Sequence, residues 1–274
     1  MEQEKETDAP SSRPQELVLS VLGFASQYAT DGVVPAIPSR TFVSVLGRIG
    51  IGEAATRATL NRMAHRGLLT RRKDGRTTVF APTGEGERLV TQGRARLSSP
   101  APFERTEDIW TVLSCPLPTR LRNARYHLLP RLAWAGFGPL QPNLWIAPGR
   151  IDVRPLLVDL LPAEDLALAH AFQGSPSFPV PTDQLVARAW DLDVLRAAHD
   201  DFLTRWENAE SDQADALPQL LLLTSDWSDL LRTDPGLPEK YLGPQWPAPR
   251  STATYQRLHA ELRPSVAKQY ASLT

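Results

Sequence analysis

Residues 41–82, TFVSVLGRIGIGEAATRATLNRMAHRGLLTRRKDGRTTVFAP, restrict the fold more than any other stretch of this chain. Two helical patterns are separated by a glycine-containing turn and followed by a short pair of strands with a basic tip. The second helix is predicted from Glu53 to about His65, opened by the small-residue lead Ile51-Gly52 and stopped by Gly67. Thr56, Leu60, Met63 and Gly67 recur at i, i+4, i+7 and i+11, a narrow inner face that packs closely. The opposite face carries Ala54, Arg57, Ala58, Asn61 and His65. Small residues around an arginine and an asparagine suit a helix that enters a DNA groove and touches base edges. Next come Leu68-Leu69-Thr70-Arg71-Arg72, a Lys73-Asp74-Gly75-Arg76 turn and Thr77-Thr78-Val79-Phe80, a hairpin with an Asp-Gly turn signal. The order is that of a winged helix-turn-helix.

Charge supports this reading through its distribution. The whole chain is nearly neutral, at −1. Residues 40–96 hold twelve Lys/Arg against four acids, a surplus of eight, which leaves −9 on the remainder. A basic module on an acidic body is the layout of a DNA-binding domain attached to a sensing or dimerising part. At 274 residues with 42% apolar content, the chain has material for two or three cores. One cysteine, Cys115, excludes an intramolecular disulfide and any multi-cysteine metal site. No apolar run approaches ~18 residues and the N-terminus, MEQEKETDAP, is acidic, so no membrane span is expected and the expected compartment is the cytoplasm.

Along the chain, 1–14 is read as a disordered arm and 15–100 as the DNA-binding domain, beginning with a helix that carries Leu17, Val21, Phe24 and Tyr28. Residues 30–39 are predicted as a loop or short strand that completes the wing sheet, with Ser39 as N-cap of the next helix and Phe42, Val45, Leu46 and Ile49 as its apolar stripe. Thr83 is expected to cap a further helix, whose Arg88, Arg94 and Arg96 face either phosphate or solvent. From 101 to 190 the pattern becomes strand (109–114), helix (119–135, with Pro130 inside), strand (143–147), short helix (152–160) and strand (164–172), with 136–139 a turn. That order predicts a ferredoxin-like α+β domain. Residues 191–274 are read as a helical domain, with helices near 187–207, 217–231 and 251–271 and a mobile polar connection at 210–215.

Several motifs then resemble one family, the PaaX-like transcriptional regulators, repressors of phenylacetate degradation and related pathways. The likeness rests on the helix and hairpin above, on Trp134-Ala135-Gly136-Phe137-Gly138 followed by Leu144-Trp145-Ile146-Ala147-Pro148, and on Trp190-Asp191-Leu192. Asp234-Pro235-Gly236-Leu237-Pro238 with Trp246-Pro247 completes the set, in family order from about residue 15 to the C-terminus. The resemblance implies a winged helix, a central Cas2-like ferredoxin domain, a helical C-terminal domain, a homodimer and, in the best-known members, an aryl-acyl-CoA inducer. Where many members have His, an acid and Arg, this chain reads Leu223-Thr224-Ser225-Asp226-Trp227-Ser228, so the phenylacetyl-CoA ligand is not carried over.

The expected function is a sequence-specific, double-stranded-DNA-binding transcriptional regulator, a repressor released by a small effector such as an acyl-CoA or aromatic-acid derivative. No catalytic residue, cofactor or metal is expected. Arg57 and Asn61 are assigned to base edges, Ala54 and Ala58 to close approach, and Arg71, Arg72, Lys73 and Arg76 to phosphate backbone or minor groove. Arg62 is assigned either to DNA or to an ion pair inside the domain. The competing reading is a metal-dependent nuclease built on the Cas2-like domain. It needs an acid at the end of the first strand, and that strand ends in Ser114-Cys115-Pro116, with Asp108 at its start. The five histidines show no paired-ligand spacing, and Gly47-x-x-Gly50-x-Gly52 lies between helices rather than after a strand. Cys115 is read as a buried thiol, and Trp134, Trp145, Trp190 and Trp206 as core.

Overall fold

The computed structural model describes residues 13–27, 34–105, 107–177 and 179–271. The chain divides into two compact units, one of Met1–Ser99, Ala209–Ser228 and Thr254–Thr274, the other of Pro100–Asn208 and Asp229–Ala253. Both mix helices with antiparallel sheet or draw on helices from the C-terminal part, as the α+β expectation requires.

In the first unit, α1 (Arg13–Gln27) starts within the expected arm; residues 1–12 and Tyr28 lie outside the described residues. Leu17, Val21 and Phe24 are buried at helical spacing. A three-stranded sheet in the order β1-β3-β2 follows, built from β1 (Ile37–Pro38), β2 (Leu69–Asp74) and β3 (Thr77–Pro82). The short strand at 37–38 therefore does complete the hairpin sheet, with Ile37 opposite Phe80. Asp74 pairs with Thr77, so the tight turn is Gly75-Arg76, one residue beyond the Asp-Gly signal, with Gly75 at φ 58°.

Helix α2 (Ser39–Gly47) corrects one expectation. Ser39 is its first residue; Pro38, extended at ψ 139°, holds the cap position, and no side chain caps it. Because Pro38 still belongs to β1, the chain passes from strand to helix without room for a separate cap. Helix α3 (Glu53–His65) has the expected bounds. It ends in a Schellman turn, with Leu68 N–H donating to Met63 O (3.0 Å), Gly67 N–H to Ala64 O (3.1 Å), and Gly67 at φ 72°. Helix α4 (Gly84–Leu97) is capped by Thr83, whose Oγ1 accepts from Gly86 N–H.

The strands of the second unit are β4 (Trp110–Ser114), β5 (Gly138–Gln141), β6 (Leu144–Pro148) and β7 (His170–Gly174), in the antiparallel order β5-β6-β4-β7. With α5 (Arg122–Trp134) after β4 and the short α6 (Arg154–Leu157) and α7 (Ala163–Leu166) before β7, the sequence runs β-α-β-β-α-β, the ferredoxin-like order. Strand β5 replaces part of the predicted turn. The stretch expected as a strand at 164–172 divides into α7 and β7. Pro130 sits inside α5 without ending it. Alternate strand residues serve two cores. Leu113, Cys115 and Trp145 pack with Leu128 and Leu132 of α5, while Trp110 and Ile146 face Val186, Leu195 and Leu237.

One long helix was expected over 187–207. Instead α8 (Thr182–Ala189) and α9 (Leu192–Trp206) are separated at Trp190-Asp191, and Asp191 caps α9 by accepting from the N–H of Asp193 and Val194. Helices α10 (Ala216–Thr233) and α11 (Ala248–Ala271) each supply residues to both units. Within the first unit, Trp227 of α10 stacks on Tyr255 of α11 with ring centroids 4.6 Å apart. The segment at 210–215, expected to be mobile, is tied down. Gln219 bridges Glu210 O and Asp212 N–H, and Gln269 donates to Gln213 O and Ala214 O.

Candidate nucleic-acid interface

Helix α3 divides its residues between two faces. Thr56, Thr59, Leu60 and Met63 are buried, and Ala54, Arg57, Ala58, Asn61, Arg62 and His65 are exposed. The expected base-reading residues thus share one solvent-facing surface. Glu53, which was not among the expected contacts, lies on the same surface, and its Oε1 accepts from Arg57 Nε at 2.7 Å. The i,i+4 spacing was the only sequence signal for it. Arg62 does not form the ion pair that was one of its two expected roles: its Nη2 donates to Thr59 Oγ1 (3.0 Å), and its side chain stays at the surface beside Asn61.

The hairpin places Arg71, Arg72 and Lys73 on β2 and Arg76 in the turn, all exposed. Among the described residues none of the four has an ion-pair partner. Val79 and Phe80 anchor the hairpin from below, both buried. Its base is held against the end of α3 by Thr83, whose hydroxyl donates to Gly67 O at 2.6 Å, while Thr83 N–H donates to Leu68 O at 3.0 Å. Three other cations of the module are engaged within the first unit. Arg48 pairs with Asp215, Arg88 with Glu85, and Arg94 donates to Ser26 Oγ at 2.8 Å. The hairpin thus carries four exposed cations that no acid among the described residues pairs with.

In the second unit, the acid at the start of the first strand is already engaged by other side chains. Asp108 accepts from Trp110 Nε1 (3.0 Å), Tyr241 OH (3.0 Å) and Lys240 Nζ (2.5 Å). Burial opposes its ionisation, but these hydrogen bonds from Lys240, Trp110 and Tyr241 outweigh it and hold the carboxyl below its ordinary range. The Lys240 ammonium is its ion-pair partner. Among the described residues no group of three His, Cys, Asp or Glu is arranged to hold a metal ion. Cys115 is fully buried, and burial with the nearby Asp165 carboxylate pushes its thiol up, away from the reactive thiolate. Asp165 is itself fully buried and clamped by both Nη atoms of Arg120 at 2.6 Å.

The glycines of the Trp134-Ala135-Gly136-Phe137-Gly138 motif serve close packing. Gly136, at φ 87°, ends α5 against Pro235, and a Cβ on Gly138 would lie 2.6 Å from the Trp190 ring. Of the four tryptophans expected in the core, Trp145 and Trp206 are buried and Trp190 is half-buried, but Trp134 is not core: it is 40% exposed, with the Arg232 guanidinium 5.6 Å from its ring. No described helix is long and apolar enough to cross a membrane.

Comparison with known proteins agrees with this arrangement. Residues 13–86 match the family model described as PaaX-like protein, 104–185 the PaaX protein central Cas2-like domain, and 190–272 the PaaX-like protein C-terminal domain. The transcriptional repressor PaaX of Escherichia coli (strain K12) is 24% identical over 227 residues, 75% of this chain and 68% of that protein. Among solved structures, the uncharacterized protein Rv0674 from Mycobacterium tuberculosis shares the fold at 20% identity with a TM-score of 0.55, over 94% of this chain and 99% of that one. Three models matched in order along nearly the whole chain leave one assignment: it belongs to the PaaX-like family of transcriptional regulators.

Proposed function

We propose that this chain is a sequence-specific repressor in which α3 enters the major groove and the β2–β3 hairpin acts as a wing on the phosphate backbone. The observation that carries this is the pairing of an exposed Arg57/Asn61 face on α3 with four cations at the hairpin that have no ion-pair partner among the described residues. Arginine and asparagine are the side chains suited to bidentate contact with guanine and adenine, whereas exposed arginines and a lysine along a hairpin suit phosphate. The chain works as a homodimer, since paired half-sites let two copies of one reader helix share an operator. Release follows the binding of a small effector, an acyl-CoA or aromatic-acid derivative by the family resemblance. For a full switch such an effector must favour the state that does not bind DNA by about 5.5 kcal/mol.

Arg57→Ala is expected to cost about 1–3 kcal/mol of operator affinity and to relax preference at one base position. A gel-shift titration against the selected operator and a scrambled duplex reads both effects. Unchanged affinity and selectivity would remove α3 from the role of reader.

A further inference from the structure

We infer that Glu53 is a positioning residue for base recognition, holding Arg57 by its Nε edge so that the guanidinium fork is presented to a guanine. This rests on the functional reading above and extends it to the operator sequence.

The geometry is specific about which part of Arg57 is engaged. Glu53 Oε1 takes the Nε proton at 2.7 Å, and among the described residues neither Nη atom has a partner. A guanidinium is planar with five donors in a fixed fork. Held at Nε, it keeps its two terminal nitrogens for the O6 and N7 of guanine, the commonest specific contact in the major groove. The neighbours permit the approach, because Ala54 and Ala58 put only methyl groups beside it on the exposed face. Stability gives little reason for the pair, since both side chains are at least half exposed, at 50% for Arg57 and 60% for Glu53. Moreover Glu53 is the one acid on α3, at the start of a helix in the most basic stretch of the chain, where a carboxylate repels phosphate. A charge that weakens general DNA binding is consistent with a role in selectivity.

Asn61 stands one turn beyond Arg57 on the same exposed column. Four residues of helix rise about 6 Å. Against a base-pair rise of about 3.4 Å, the adenine read by Asn61 falls on the order of two steps from the guanine read by Arg57.

The test is selection from a random-core duplex pool by the full-length chain, followed by competition titrations with single-base variants of the selected duplex. Wild type enriches a guanine, and Arg57→Ala loses that preference. Glu53→Ala lowers the preference at the same position about five- to tenfold and raises affinity for mixed-sequence duplex. Glu53→Gln, which keeps an acceptor for Nε, retains most of the discrimination. In the double variant, Glu53→Ala adds nothing to the loss caused by Arg57→Ala. Full discrimination in Glu53→Ala, or a change at a base that Arg57→Ala leaves alone, overturns the inference while the functional reading stands. Failure of wild type to enrich any base sinks the functional reading itself.

Discussion

Replacing His199 by alanine lowers stability by about 3–5 kcal/mol, the expected loss when a fully buried side chain is removed and its hydrogen-bond partners are left without it. His199 is fully buried and Asp234 nearly so, with Nε2 and Oδ2 2.8 Å apart. The other ring nitrogen lies 3.0 Å from Ser251 Oγ, and Phe103 meets the imidazole edge-on at 5.0 Å. One side chain of α9 thereby ties together the Asp234-Pro235-Gly236 turn and the first turns of α11. Alanine leaves a cavity and an Asp234 carboxylate whose remaining close donor is Gly236 N–H at 2.7 Å. Asp234→Asn is much milder, about 1 kcal/mol, because an amide oxygen still accepts from Gly236. Urea unfolding followed by tryptophan fluorescence measures the difference; Trp246 lies 6.2 Å from the imidazole. A loss below about 1 kcal/mol for His199→Ala would mean that the surrounding packing, not this pair, holds the junction.

The second large effect is expected at Gly86→Ala. A Cβ there would stand 2.2 Å from the Leu68 carbonyl oxygen and 3.1 Å from Pro82 Cβ. The obstacle is backbone at the root of the hairpin, so relief requires α4 and β2 to separate. That motion breaks the Thr83 bonds to Gly67 and Leu68 that fix the hairpin beside α3. Overpacking of this kind costs about 1–3 kcal/mol, and duplex affinity falls with it because the two DNA-facing elements lose their spacing. Gly84→Ala is the matched control. It has nothing within 4 Å of the added Cβ, and reduced unfolded-state freedom makes it neutral or stabilising by up to about 1 kcal/mol. Equal stability and duplex affinity in the two variants would refute the argument from close approach.

Residues 37–97 of the first unit were largely legible because their signals are local. Gly67 stops α3 through a left-handed residue, Thr83 has a free backbone donor to cap, and the apolar spacing of 42–46 and 56–63 admits one helical register each. The second unit was harder where tertiary contact overrides local preference. Gly138-Pro139 carries a turn signal, yet it forms strand β5 because Gly138 must lie flat against Trp190 and Pro139 sits on the edge of the sheet. Apolar spacing continues through Trp190-Asp191-Leu192, which hid the Asp191 cap that starts α9. At the candidate site, residue types and the helix period sufficed to place Arg57 and Asn61 on one exposed face. They did not show that Glu53 holds Arg57, nor that Thr59 takes Arg62 as a hydrogen-bond partner, since both depend on side-chain conformation.

The salt dependence of duplex binding tests the central claim most directly. The full-length chain is titrated against its selected duplex over a range of salt concentrations, alongside Lys73→Ala and the joint alanine replacement of Arg71, Arg72, Lys73 and Arg76. If the hairpin rides on phosphate, log affinity falls linearly with log salt, Lys73→Ala flattens the slope by about one unit and the joint variant by about four. The loss is the same for every duplex sequence. A slope unchanged by the joint variant, or binding indifferent to salt, would contradict the account.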